Sequence, residues 1–141
     1  MNLNLANRLL LVCAILFLLV AFVVALRVIP AVSADISPNA VPERAVPPFW
    51  VNVGLSVLLA ASCGAVAFRS KGRDRISTTI LVVLGIVALL LGLALVDAAS
   101  AFRSHEMLAQ GTLMFLFVCA AVDLLSGALV IVVAYRRPRI V

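Results

Sequence analysis

Charge is scarce in this sequence. Asp, Glu, Lys and Arg make up 12% of its 141 residues, against about 25% in soluble domains, and 65% of the chain is hydrophobic. A water-soluble fold is excluded, because so few polar groups cannot cover a globular surface. Lys71 is the single lysine and His105 the single histidine. Cys13, Cys63 and Cys119 each stand alone inside an apolar run, with no CxxC spacing. Structural zinc, haem attachment and dithiol chemistry need closer groupings, so no cofactor and no metal is expected, and each cysteine reads as a small buried hydrophobe. GxGxxG, Walker, GxSxG and HExxH motifs are missing, as is any nucleophile and base pair, so the chain is not expected to be an enzyme on its own. The two halves share no repeat, which leaves an inverted-repeat transporter unsupported.

What the chain does have is four long apolar runs. The first covers residues 9–29, follows Arg8 and stops at Pro30, whose ring cannot continue a helical hydrogen-bond ladder. At ~1.5 Å per residue this run crosses a hydrocarbon core of ~30 Å. Val32, Ser33 and Ala34 before Asp35 resemble a signal-peptidase site, but the run exceeds the ~7–15 residues of a signal core and contains Arg27, so retention as a helix is expected. Residues 30–48 hold five of the six prolines together with Asp35, Glu43 and Arg44, which reads as an extended external loop. Pro47 and Pro48 suit the first turn of a second helix, and Phe49 and Trp50 suit an interfacial anchor.

The second helix is expected over 49–68, followed by a basic loop at 69–76, a third helix over 77–100, a turn at 101–107 and a fourth helix over 108–135, where Tyr135 makes another anchor. Arg8, Arg69, Lys71, Arg73, Arg75, Arg136, Arg137 and Arg139 fall on one side of such a bundle, and Arg27, Arg44 and Arg103 on the other. The basic side stays cytoplasmic. The expectation is therefore an all-α integral membrane protein, a single membrane domain with four transmembrane helices in an up-down bundle and both termini cytoplasmic. The net charge of +5 and pI near 10.1 then reflect contact with anionic lipid headgroups, not nucleic acid. Arginine dominance and the lack of N-x-[ST] sites or a retrieval signal point to a prokaryotic plasma (inner) membrane.

Without a hydrophobic drive between helices in lipid, small and polar residues mark contact faces. Ser56, Ala60 and Gly64 recur every four residues in the second helix, Gly85, Gly92 and Ala99 every seven in the third, and Cys119, Asp123, Ser126, Gly127 and Ala134 cluster on one side of the fourth. Asp123 falls near mid-membrane, where an acid costs roughly 2.5–3.5 kcal/mol on insertion scales. With Cys119 and Ser126 it forms the candidate polar site, either a proton or cation relay or a hydrogen-bonded packing group. Arg27 and Asp97 approach the outer boundary at similar depth and form a candidate ion pair, with separate snorkelling to the interface as the alternative. His105 and Glu106, beside Arg103, read as a solvated external turn.

Four short spans and this length resemble small multidrug transporters, but those carry a key glutamate in the first helix, where this chain has no acid. The vitamin-K-epoxide-reductase type needs a CxxC pair that is also missing here. The leading expectation is a non-catalytic small subunit or assembly and scaffold component of a larger integral membrane complex, respiratory or photosynthetic, with other integral membrane subunits as partners. The alternatives are a homo-oligomeric small transporter or channel using Asp123, and a receptor-like scaffold reading signals through residues 33–48.

Overall fold

In the computed structural model the described residues are 3–30, 46–69, 75–104 and 110–136, and all of them are helical. Helix α1 (Leu3–Val23) continues through a π-helical turn (Val24–Val28) to Pro30, followed by α2 (Val46–Arg69), α3 (Arg75–Ser104) and α4 (Gln110–Arg136). Each holds a segment long and apolar enough to cross a membrane, at Asn4–Val28, Pro48–Phe68, Arg75–Ala101 and Gly111–Arg136. The protein is thus a multi-pass helical bundle of the integral membrane type. The external loop at 31–45, the basic loop at 70–74, His105 and Glu106, and the tail at 137–141 lie outside the described residues.

The helices outrun the apolar stretches that predict them. α1 begins at Leu3 instead of residue 9, taking in Asn4, Asn7 and Arg8, and α3 runs on to Ser104 instead of 100. Apolar composition marks the hydrocarbon core, whereas backbone hydrogen bonding carries a helix on into the headgroup region. Pro47 and Pro48 lie within the first turn of α2, where a missing N–H costs nothing. The π-helical turn is not visible in the apolar pattern. There the Ile29 N–H donates to the Val24 carbonyl, five residues back. The wider ladder falls immediately before Pro30, which supplies no N–H and crowds the carbonyl four residues earlier.

α3 and α4 share the broadest interface, α1 packs on α2 and on α4, and α2 meets α3 only along a narrow seam. Glycine explains the first of these. A Cβ at Gly85 would lie 2.9 Å from the Gly127 carbonyl oxygen and against Ile131, and a Cβ at Gly127 would lie 2.9 Å from the Gly85 carbonyl oxygen and 3.0 Å from Ala88 Cβ. At Gly92 it would meet Leu124 Cγ at 2.8 Å and the Ala120 carbonyl oxygen at 3.1 Å. Gly85 therefore faces Gly127 and Ile131 while Gly92 faces Ala120 and Leu124, so these two helices run antiparallel with their backbones in contact. Such approach permits Cα–H···O contacts, each worth about 0.5–1 kcal/mol.

Gly64 corrects the second-helix stripe. Ser56 and Ala60 are buried, but Gly64 is only partly buried and an added Cβ there meets nothing within 4 Å. Ser56, Ala60 and Gly64 share a helix face by spacing, yet α1 covers that face only in part.

The two classes of glycine predict opposite signs. Gly85→Ala or Gly127→Ala should push the α3 and α4 backbones apart and cost about 1–3 kcal/mol. Gly54→Ala and Gly64→Ala, both in open space, should gain up to about 1 kcal/mol from helix propensity. Thermal unfolding in detergent, followed by circular dichroism, measures both.

A candidate polar site inside the bundle

The core divides into two hydrophobic clusters, and all four helices contribute to each. One contains Cys13, Phe17, Leu59, Cys63, Leu81 and Val130; the other contains Val20, Val24, Phe49, Leu95, Leu116 and Cys119. On α2 the buried polar residues Asn52 and Ser56 fall between the two, and on α4 Asp123 and Ser126 do the same. Each of these two helices thus carries its buried polar pair between stretches that belong to the two clusters.

α4 places its pair by heptad spacing. Leu116, Cys119, Asp123, Ser126, Val130 and Val133 alternate at steps of three and four and are all buried, forming one inward stripe. Cys13 on α1 meets this stripe, its Sγ donating to the Ser126 carbonyl at 3.9 Å. Gly127, one position further round, faces α3. Asp123 is 0% exposed and Ser126 1%, and neither carboxylate oxygen of Asp123 nor the Ser126 hydroxyl has a hydrogen-bond partner. Asp123 is the only charged residue type buried among the described residues, so no opposite charge is buried with it.

On α2 the Ser56 hydroxyl donates to Asn52 Oδ1 at 3.5 Å. Asn52, 4% exposed, went unnoticed in the sequence. Its signal was an amide one turn before Ser56 in an apolar run. Cys13 and Cys63 are neighbours in one core cluster and, like Cys119, are free thiols. Among the described residues no group of three or more His, Cys, Asp or Glu is placed to hold a metal ion.

Arg27 and Asp97 are both exposed. They stand on α1 and α3, which are not among the substantial helix contacts, and no ion pair joins them among the described residues. Each is exposed on its own helix, and separate exposure stands in place of the expected pairing.

No protein-family description fits this chain, and no curated protein or solved structure is significantly similar to it. The chemistry rests on the geometry alone. A carboxyl group with two open oxygens and a hydroxyl one turn away can hold a proton or accept a hydrogen-bond donor, in surroundings too apolar to solvate it.

Replacing that acid without changing the bundle tests its standing. Asp123→Val removes two unsatisfied oxygens at similar volume and should stabilise the protein by about 1–3 kcal/mol. A fall in the thermal midpoint in detergent would instead mean that the carboxyl is bonded in the folded protein.

Proposed function

We propose that this protein is a non-catalytic small subunit or assembly and scaffold component of a larger complex in a prokaryotic inner membrane. In this reading the bundle is up-down with both termini cytoplasmic, supported by the excess of arginine at one set of helix ends and by the antiparallel register of α3 and α4.

The observation that carries the proposal is the outward face of α2. Trp50, Gly54, Leu58, Ala61, Ala65 and Phe68 are all exposed and fall on one stripe by helical spacing. Trp50 and Phe68, 54% and 80% exposed, stand at its two ends. Between them Gly54, Ala61 and Ala65 leave a shallow, small-residue stretch, and a Cβ at Gly54 would meet nothing within 4 Å. Lipid tails gain nothing from small residues, whereas a second helix gains close packing. The stripe therefore suits a transmembrane helix of another subunit.

The location of Asp123 weighs on the alternative. A pathway assembled between copies needs the acid on an outer face, and here it is enclosed by its own bundle. That favours the subunit reading over a homo-oligomeric transporter lined by Asp123.

Native mass spectrometry of the protein extracted from its own membrane in mild detergent should show different polypeptides bound at fixed ratio. Ala61→Leu should release them while leaving helix content intact. A solitary monomer overturns the proposal, and a homo-oligomer redirects it towards transport.

A further inference from the structure

The narrow α2–α3 seam holds a cavity of about 190 Å³, lined by Pro48, Phe49 and Asn52 of α2 and by Ala94, Leu95, Ala98 and Ala101 of α3. Phe49, Asn52 and Leu95 are buried at its floor, while Pro48, Ala94 and Ala101 are exposed at its rim, so it opens sideways from the bundle. On α3, alanine at steps of four and three keeps the wall low. This face lies on the opposite side of α2 from the Gly54 and Ala61 stripe, so it stands apart from the proposed subunit interface.

We propose that this slot is a binding site for one zwitterionic phospholipid, with an acyl chain in the slot and an ester carbonyl on the Asn52 amide. Size, polarity and charge each point that way. Ligand-sized pockets run to about 300–1,000 Å³, and a cavity of about 150 Å³ takes a benzene-sized molecule. The slot therefore takes a short length of chain while the rest of the ligand lies in the bilayer. Its lining carries no charge.

Asn52 supplies the one specific polar group. Its Oδ1 accepts from Ser56, which turns its NH2 into the end that serves a ligand, and an NH2 group calls for an acceptor such as a carbonyl. Helical side chains lean towards the N-terminus, so the Asn52 amide leans towards Pro48 at the rim. Asn52 is four residues inside Pro48, about 6 Å along the axis, close to the level where acyl chains meet their esters.

Charge selects the headgroup. Asp97 is exposed and flanks the Ala94 and Ala101 rim by helical spacing, so its carboxylate disfavours an anionic headgroup there. Arg27, at the same end, is exposed on the π-helical turn of α1 and does not line the slot. Because phospholipid surrounds the protein at very high local concentration, even a modest intrinsic affinity fills the site.

The test is native mass spectrometry of the full chain in mild detergent, with phosphatidylethanolamine and phosphatidylglycerol added in equal amounts. The wild type should retain one phosphatidylethanolamine. Ala98→Phe, which fills the slot, should abolish retention, and Asn52→Leu should lower it about tenfold, the loss expected for one buried hydrogen bond. Asp97→Asn, an exposed change that does not burden folding, should erase the preference between the two lipids while keeping binding. Equal retention by wild type and Asp97→Asn without preference overturns the headgroup assignment. Unchanged retention in Ala98→Phe, or capture of an isoprenoid quinone in place of phospholipid, overturns the site as proposed.

Discussion

The bundle depends on the contact between Gly85 and Gly127, where the backbones of α3 and α4 touch through each other's carbonyl oxygens. In a bilayer, lipid tails are as apolar as leucine, so burying apolar surface between helices yields little. What remains is close van der Waals packing, which small residues permit and a single extra methyl group obstructs. With α3 fixed against one side of α4 at Gly127, and α1 meeting α4 at Ser126, the stripe from Leu116 to Val133 is turned inward. The enclosure of Asp123 follows from that rotation.

The enclosed acid is a cost that the two apolar clusters around it must absorb. An unpartnered carboxyl midway along an apolar span is among the least favourable groups such a helix can carry, and the Ser126 hydroxyl beside it also has no hydrogen-bond partner among the described residues. Apolar side chains at both positions would pack with no such penalty. Proteins retain such costs where stability is exchanged for function, which makes Asp123 and Ser126 the part of the interior that packing does not explain.

α2 presents two different surfaces on its opposite faces. Its outward stripe is made shallow by Gly54, Ala61 and Ala65, a shape suited to another helix. The seam with α3 is shallow for a different reason: alanines stand where larger residues would close the gap, and Asn52 puts a donor at its floor. Both faces arise because α2 has α1 as its one broad partner, which leaves much of its circumference uncovered by the described helices.

Length and hydropathy alone determined that four helices are long and apolar enough to cross a membrane, since any apolar run that spans a ~30 Å core must satisfy its backbone as a helix. The spacing of Gly85 and Gly92 was equally legible, because helical period is a property of the chain itself. Rotation and pairing were not. A helix apolar on every side carries no polar face to say which way it points, so the sequence placed Gly64 on a contact stripe where the structure leaves it open, paired Arg27 with Asp97 where the structure leaves each exposed, and passed over Asn52. Those assignments were made only by tertiary packing, because which face of a membrane helix is inside depends on how closely its neighbours can approach.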